Sequence, residues 1–252
     1  MKIAITGKGG VGKTSLSYLL GLRYRDLGFQ VLLVDADPDG NLPDLMGLSA
    51  TTIVPLIEMK EMIHERIASD QNGISSYFKL NPKVDDIPQK YALTHNGLKL
   101  LVMGTIKSGG GGCACPLNSF IRQVLRHLII EREEIVIMDM EAGIEHLGRG
   151  TADQVDCLLI ITEPNMTALT TTHRIIHLAQ DLKIPRLLIV GNKIFDEQDK
   201  RMIITSLGEV EPIFIPFSRH IKQISCQPEA SPQLEPEVAE TLTSIVNQLN
   251  TS

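Results

Sequence analysis

The feature that most constrains this chain is a glycine-rich loop close to its amino terminus. Residues 7–14 read Gly-Lys-Gly-Gly-Val-Gly-Lys-Thr and directly follow the apolar run Ile3-Ala4-Ile5. They fit the pattern G-x-x-x-x-G-K-[ST], which binds nucleotide phosphates when it lies between a strand and a helix. Glycines let successive backbone N–H groups turn inward around an anion, because no Cβ blocks that conformation. The sequence therefore predicts a phosphate-binding loop.

The side chains of this loop have separate predicted roles. Lys13 places a compact cation on the β- and γ-phosphates, and the Thr14 hydroxyl is a hard oxygen ligand suited to Mg²⁺. The helix that begins at Thr14 adds its positive amino-terminal end. The residues predicted to bind nucleotide here are Gly9, Gly10, Val11, Gly12, Lys13, Thr14 and Ser15. The alternative interpretation is a glycine-rich turn without a ligand.

Composition limits the fold and the environment of the protein. The chain has 252 residues, 43 % of them hydrophobic and none of them Trp, so we expect a single domain over residues 1–252 with an aliphatic core. The net charge of −6 argues against a general nucleic-acid-binding surface. The chain has only four cysteines, no secretory signal before the loop and no apolar run of roughly 18 residues. We therefore expect a cytoplasmic protein without a membrane anchor.

Apolar runs alternate with amphipathic segments along the rest of the chain. Strands are predicted at 2–6, 31–34, 98–103, 135–139, 155–162, 186–190 and 212–216. Helices are predicted at 14–26, 55–69, 117–128, 167–181, 202–207 and 236–249. This alternation is typical of an α/β fold with a doubly wound, mostly parallel sheet and helices on both faces.

Three acids follow predicted strands. Asp35 and Asp37 follow the second strand, and Asp139 ends the strand at 135–139. All three are expected at the phosphate-loop end of the sheet, where ligands bind in open α/β folds. Because ATP hydrolysis needs an oriented water, a metal ion and charge compensation, we interpret the set as part of an Mg²⁺-dependent ATPase site. For any one acid, a helix cap or a strand-end turn is the alternative.

Cys113 and Cys115 form a second candidate site. Thiolates are soft ligands for Zn²⁺, Ni²⁺, Cu(I) or Fe–S units, and a Cys-x-Cys pair can direct two sulfurs at one ion. Two ligands do not complete a tetrahedral site, but a symmetric dimer would bring four sulfurs together. From the residues alone, two buried or incidental thiols are an equal alternative. Cys157 lies in an apolar strand and is predicted to be a core residue.

The phosphate loop resembles that of the MinD/ParA/nitrogenase-iron-protein superfamily. Its deviant form, Lys-Gly-Gly-Val-Gly-Lys-Thr, carries a second lysine, which is Lys8 here. The resemblance implies a MinD-like P-loop ATPase and a homodimer that closes over two ATP molecules, with Lys8 contacting the nucleotide of the partner subunit. It implies catalytic roles for Lys8, Lys13 and Asp37, of which Asp37 would orient the attacking water.

Four further segments resemble functional parts of that superfamily. Asp35-Ala36-Asp37-Pro38 with Asn41 resembles its switch I, and Asp139-Met140-Glu141-Ala142-Gly143 resembles its switch II. The resemblance implies that Thr14, Asp35 and Asp139 lie around Mg²⁺. Gly191-Asn192-Lys193 resembles the segment whose Asn reads adenine, and Ile215-Pro216-Phe217 resembles the loop beside the base. Nucleotide contacts are therefore implied for Asn192, Lys193, Pro216 and Phe217; a turn role is the alternative for Asn192.

A narrower resemblance rests on two stretches. Gly-Gly-Gly-Gly-Cys-Ala-Cys-Pro at 109–116 and the segment 138–151 closely resemble the CooC/AcsF branch of the superfamily. These proteins are maturation ATPases for nickel-containing carbon monoxide dehydrogenase and its acetyl-CoA synthase partner. The resemblance implies a dimeric ATPase, with ATP, ADP and Mg²⁺, that holds Ni²⁺ or Zn²⁺ at Cys113 and Cys115 of both subunits. Its client would be one of those nickel enzymes.

Other functions remain open on the sequence. A spatial organiser like MinD or ParA would need a membrane- or DNA-binding surface, and the tail at 235–240 is acidic where a membrane anchor would be basic. An electron-transfer ATPase like the nitrogenase iron protein would bridge its dimer with an Fe–S cluster, although that protein's cysteines lie far apart in sequence. A scaffold that barely hydrolyses ATP is a third possibility. Glu145 and His146 could relay metal or contact the client; a structural contact or a helix cap is the alternative.

Overall fold

The computed structural model describes residues 1–37, 40–49, 53–68, 79, 81–104, 115–130, 132–142, 152, 154–224 and 232–251, with the backbone alone at 115, 116 and 130. The strands in chain order are β1 (Lys2–Gly7), β2 (Val31–Ala36), β3 (Leu93–His95), β4 (Leu98–Val102), β5 (Ile135–Met140), β6 (Cys157–Thr162), β7 (Leu187–Ile194) and β8 (Ile213–Pro216). The helices are α1 (Lys13–Asp26), α2 (Leu42–Leu45), α3 (Lys60–Ile67), α4 (Ile87–Tyr91), α5 (Cys115–Ile130), α6 (Met166–Asp181), α7 (Glu197–Leu207), α8 (Arg219–Ile224) and α9 (Pro236–Asn250).

The described strands form one sheet in the order β3-β4-β2-β5-β1-β6-β7-β8. Every neighbouring pair is parallel except β3 with β4 at one edge. This confirms the predicted α/β class with a mostly parallel sheet. β1 lies inside the sheet between β5 and β6, where successive strands change from one side of β1 to the other. The loop after β1 therefore lies at a topological switch point, the usual ligand position in such sheets.

Helices cover both faces of the sheet, which explains the continuous apolar runs of its strands. Ile3 and Ile5 of β1 belong to one buried cluster, which also contains α1 and α9 side chains. Ala4 belongs to the opposite cluster, which includes side chains of α5, α6 and α7. Fully burying one such aliphatic side chain contributes about 1.5–3 kcal/mol, so the two layers together dominate the stability of the fold.

Several described elements differ from the sequence-based prediction: the short helices α2, α4 and α8 were not predicted, and three further differences have local causes. The helix predicted at 55–69 is interrupted at Met59, which has a non-helical ψ of 62° between a 3₁₀ turn at Leu56–Glu58 and α3. Helix α7 begins before the predicted residue 202, because the Asp196 carboxylate accepts hydrogen bonds from the N–H groups of the first turn. The antiparallel β3 was not predicted; a tight turn at Asn96-Gly97, both with positive φ, joins it to β4.

None of the helices in the described ranges combines the length and the apolar character that crossing a lipid bilayer requires.

Candidate functional site

β1 leads directly into the phosphate loop, whose backbone depends on its glycines. Gly7, Gly10 and Gly12 have φ values of +151°, +83° and +102°, which residues with a side chain rarely adopt. A Cβ at Gly7 would lie 2.2 Å from the Ile161 carbonyl oxygen on the neighbouring strand β6. The loop can therefore take this path only with glycine at these positions, and it ends where α1 begins at Lys13.

A cavity of about 400 Å³ lies at the amino-terminal end of α1. Its lining residues are Gly9, Gly10, Gly12, Lys13, Thr14, Ser15, Asp37, Asn41, Asp44 and Leu45. The residues predicted to bind phosphate thus surround one cavity together with Asp37; Val11 is the exception, since its side chain is buried in the core. A helix amino terminus with unpaired N–H groups and a lysine favours an anion in this position.

Lys13 and Asp37 form an ion pair beside this cavity. The Lys13 Nζ lies 3.4 Å from Asp37 Oδ2, and the two side chains are only 7 % and 12 % exposed. Because both side chains are largely shielded from solvent, the pair is screened less than an exposed ion pair. Two of the three residues with predicted catalytic roles, Lys13 and Asp37, therefore lie beside the same cavity.

Asp35 and Asp139 lie opposite each other on the neighbouring strands β2 and β5, and both are fully buried. Burial, followed by the charge of Asp139, raises the pKa of Asp35 to about 7. Burial likewise raises the pKa of Asp139 to about 6, although the nearby Thr14 hydroxyl and the Lys13 charge oppose that rise.

These two carboxyl groups are poorly satisfied by the protein. The Leu42 N–H donates to Asp35 Oδ2 at 3.1 Å, but Asp35 Oδ1 and both Asp139 oxygens have no hydrogen-bond partner among the described residues. A buried carboxylate is costly unless it is paired or binds a metal ion. The donor set of Asp35, Asp139 and the Thr14 hydroxyl therefore fits a hard cation such as Mg²⁺.

A second cavity, of about 360 Å³, adjoins the first along the phosphate loop and shares Gly10, Gly12 and Ser15 with it. Its other lining residues are Asn192, Lys193, Phe217, Ser218, Ile221 and Lys222. Three of the four residues predicted to contact the base therefore surround one cavity. The fourth, Pro216, is the last residue of β8 and is not among these lining residues.

Asn192 connects the second cavity to the phosphate loop. Its Nδ2 donates a hydrogen bond to the Val11 carbonyl at 2.8 Å, and its side chain is buried. A Cβ at Gly12 would lie 2.4 Å from the same nitrogen. This hydrogen bond holds the carboxamide against the loop, and the side-chain oxygen is its acceptor group for a ligand.

Sequence reasoning missed Phe195. Its ring stacks on that of Phe217 with centroids 4.5 Å apart and an interplanar angle of 18°. Phe195 is 70 % exposed and Phe217 is 36 % exposed, so this stack forms an apolar wall at the rim of the second cavity. The position of Phe195 three residues after Asn192 was a usable signal in a chain with only 6 Phe.

Lys8 contacts its own chain. Its Nζ donates to Thr167 Oγ1 at 2.8 Å, in the first turn of α6. The turn between β6 and α6 that contains Glu163 and Asn165 was not singled out from the sequence. Its signal was Asn165, a residue type typical of helix caps, whose Oδ1 accepts from the Ala168 N–H at 2.8 Å.

The predicted thiolate site falls largely outside the described residues. Cys113, Glu145 and His146 are outside them, and for Cys115 only the backbone at the start of α5 is described. In the part of the chain that is described, no three His, Cys, Asp or Glu side chains are grouped to hold a metal ion. Cys157 is buried in β6, and burial raises the pKa of its thiol to about 11, which confirms it as a core residue.

Comparison with known proteins identifies the family. The family model described as the CobQ/CobB/MinD/ParA nucleotide binding domain matches residues 2–226. The chain is 42 % identical over 227 residues to the carbon monoxide dehydrogenase accessory protein CooC of Rhodospirillum rubrum, covering 88 % of this chain and 86 % of that protein. It is also 42 % identical over 245 residues to an uncharacterized ATP-binding protein of Methanocaldococcus jannaschii, covering 93 % and 95 %. The chain belongs to the CobQ/CobB/MinD/ParA family, as a CooC-type member.

Solved structures agree with this fold. MinD of Aquifex aeolicus superimposes with a TM-score of 0.66 at 20 % identity, covering 98 % of this chain and 97 % of that one. MinD of Pyrococcus horikoshii, solved as a complex with Mg-ADP, gives a TM-score of 0.64 at 16 % identity, covering 99 % and 96 %. The predicted MinD-like P-loop fold is thereby confirmed.

Proposed function

We propose that this protein is an Mg²⁺-dependent ATPase that acts as a homodimer and supports nickel insertion into a carbon monoxide dehydrogenase or its acetyl-CoA synthase partner. The observation that carries the ATPase proposal is the pair of adjoining cavities that share Gly10, Gly12 and Ser15. The client proposal is supported by the 42 % identity to CooC, which extends over 86 % of that protein.

In the proposed reaction, water attacks the γ-phosphorus of ATP and releases ADP and phosphate. Asp37 would orient that water, and Lys13 would neutralise charge on the β- and γ-phosphates, with help from the loop N–H groups. Thr14, Asp35 and Asp139 would hold Mg²⁺, which supplies further charge compensation at the phosphates. Lys8 would leave Thr167 and contact the nucleotide of the partner subunit.

Asn192 supports adenine as the base. With its Nδ2 bound to Val11, its side-chain oxygen would accept a hydrogen bond from the exocyclic amine of adenine. Guanine presents a carbonyl oxygen in the corresponding place, and two acceptors repel each other. Phe217, supported by Phe195, would flank the base. We therefore expect ATP to bind more tightly than GTP.

Nickel would be the cargo of this ATPase. Cys113 and Cys115 from both protomers would supply four thiolates, a donor set suited to Ni²⁺ or Zn²⁺. Closure of the dimer over ATP would then couple occupancy of the metal site to the nucleotide cycle.

The test compares the parent protein with a Cys113→Ala/Cys115→Ala variant. Nickel binding and dimerisation are measured with ADP and with a non-hydrolysable ATP analogue. We expect the double substitution to abolish nickel-linked dimerisation and to leave nucleotide affinity unchanged, because neither cysteine belongs to the phosphate loop. Cys226→Ala is the matched control and should behave like the parent, because Cys226 has no partner at ligand spacing in the sequence. Loss of nucleotide binding in the double variant would contradict the proposed metal role.

Anaerobic purification separates the remaining functions. A colourless protein with about one Ni or Zn per dimer agrees with the proposal, whereas a broad visible absorption band would indicate an Fe–S electron-transfer ATPase. Tight ATP binding without hydrolysis would indicate a nucleotide-gated scaffold instead.

A further inference from the structure

The turn that joins β6 to α6, residues 163–165, contacts Lys193, in the segment of β7 that is proposed to read the base. The Lys193 Nζ lies 2.8 Å from Glu163 Oε2, and it also donates a hydrogen bond to the Gly10 carbonyl at 2.6 Å. One ammonium group therefore joins the carboxylate of the turn to the backbone of the phosphate loop.

The same turn, through Thr167 in the first turn of α6, is linked to the phosphate loop a second time. Asn165 Nδ2 donates to Glu163 Oε1 at 2.7 Å, and the Thr167 hydroxyl donates to Asn165 Oδ1 at 2.8 Å. Lys8 Nζ donates to that hydroxyl oxygen, also at 2.8 Å. The contacts form a closed ring that leaves the loop at Lys8 and returns to it at Gly10.

The backbone at Lys193 is arranged for this contact. Lys193 has a φ of +59°, in the left-handed region, which is unfavourable for a residue with a side chain. The pairing of β7 with β8 shifts register between Gly191 and Ile194, so Lys193 lies within an irregular segment of the strand. Such a conformation persists only when surrounding contacts hold it, and it is common at functional sites.

We propose that Glu163 is a positioning residue for nucleotide binding. It fixes Lys193 on the Gly10 carbonyl, and this contact occupies that oxygen so that the loop would present its N–H groups to phosphates in the first cavity. Lys193 thus acts on the nucleotide through the loop. The proposal rests on the proposed nucleotide binding at this loop and adds a residue that the motif does not contain.

The alternative is that Glu163 and Lys193 form an ordinary surface ion pair without a role in ligand binding. Lys193 is 41 % exposed and Glu163 is 20 % exposed, and an isolated pair at such exposure contributes little to stability. The Glu163–Lys193 pair differs from an isolated surface pair because the Lys193 ammonium also donates a hydrogen bond to the Gly10 carbonyl of the phosphate loop. Its effect should therefore appear in ligand affinity rather than in stability.

The test is a double-mutant cycle on ADP affinity, with Glu163→Gln, Lys193→Gln and the double variant, measured with a fluorescent ADP analogue. We expect Lys193→Gln to raise the dissociation constant about tenfold, and Glu163→Gln to raise it several-fold. The double variant should be no weaker than Lys193→Gln alone, because both residues act through one contact. In turnover, KM for ATP should rise while kcat stays near that of the parent.

Glu197→Gln is the matched control, since it removes the Glu197–Lys200 pair of 2.6 Å on α7 without touching the phosphate loop. It should leave ADP affinity unchanged, and all variants should unfold near the temperature of the parent. Effects that multiply in the double variant would overturn the proposal, because Lys193 would then act independently of Glu163. Unchanged affinity in Glu163→Gln would overturn it as well. A parent protein that fails to bind ADP would instead overturn the proposed function, and this proposal with it.

Discussion

At the scale of single residues, the two cavities depend on contacts that leave little free space. Asn192 Nδ2 donates a hydrogen bond to the Val11 carbonyl. A Cβ added at Gly12 would lie only 2.4 Å from this nitrogen. Gly12 also has a left-handed φ of +102°. The side chain that is proposed to read the base is therefore packed directly against the loop that is proposed to bind phosphate.

This contact predicts the effect of Gly12→Ala. The added methyl group would displace Asn192 and strain the backbone, so we expect ADP affinity to fall at least tenfold. A titration with a fluorescent ADP analogue measures it. Gly9→Ala is the matched comparison and should retain more affinity, because a Cβ there meets nothing within 4 Å. Equal losses in the two variants would contradict the packing argument.

A second residue-scale prediction concerns Asp37. Replacing it by Asn removes the proposed water-orienting carboxylate, so we expect kcat for ATP hydrolysis to fall about a hundredfold or more. ATP binding should persist, because Lys13 loses its 3.4 Å partner and remains available to phosphate. Phosphate release and nucleotide titration measure the two effects. Asp44→Asn, at another acid of the same cavity, should keep most activity; an equal loss there would assign the effect to charge alone.

At the scale of elements, the buried strands could be predicted because helices cover both faces of the sheet and leave continuous apolar runs. The convergence of Asp35, Asp37 and Asp139 also followed from strand ends. The start of α7 was available in the sequence, since Asp196 precedes the acids Glu197 and Asp199. The left-handed backbone of Lys193 was not, because a register shift between two strands depends on contacts across the sheet.

One pair of helices offers a stability prediction. Both Nη atoms of Arg66 in α3 bond the Asp86 carboxylate before α4, at 2.7 and 2.9 Å, and Lys90 Nζ lies 2.8 Å from it. The Arg66 hydrogen bonds, followed by that of Lys90, hold the pKa of Asp86 well below its usual range. The folded state therefore favours the carboxylate, and this stabilisation is complete above the ordinary pKa and lost as the pH falls.

Asp86→Asn should lower the free energy of unfolding by about 0.5–1 kcal/mol at pH 7. The difference from the parent should stay constant down to about pH 5 and shrink below about pH 4, where the unfolded parent begins to bind its proton. Urea unfolding across this range measures it. Asp85→Asn, at a neighbouring exposed carboxylate, should lower the free energy of unfolding by less than Asp86→Asn does at every pH. A difference that does not vary with pH would exclude the charged pair as its cause.

At the scale of the whole molecule, one sheet brings together residues far apart in sequence. The candidate site combines the loop after β1, acids on β2 and β5, and the segment of β7 with Asn192 and Lys193 that is proposed to read the base. Sequence motifs could place these parts together at the carboxyl-terminal ends of the parallel strands. They could not show that Phe195 stacks on Phe217 or that Glu163 reaches Lys193, because those contacts involve residues outside any motif.

Magnesium should therefore stabilise the entire fold together with the nucleotide. With Mg-ADP at a hundred times its dissociation constant, we expect the free energy of unfolding to rise by about 2.7 kcal/mol. Chelation of Mg²⁺ should remove part of this gain in the parent. In Asp139→Asn, chelation should change little, because one of the proposed Mg²⁺ ligands is already absent. Thermal unfolding of the parent and of the variant, each with and without chelator, measures these effects. A loss of stability on chelation that is as large in Asp139→Asn as in the parent would contradict a ligand role for Asp139.

The interior position of β1 has a consequence for amide hydrogen exchange. β1 is paired along both edges, with β5 and with β6, so its amide protons can reach solvent only when the centre of the sheet separates. Its exchange rate therefore reports global opening, and it should slow in step with every ligand that binds the folded state. Amide exchange in β1, the strand that leads into the phosphate loop, therefore measures how much a bound nucleotide stabilises the whole fold.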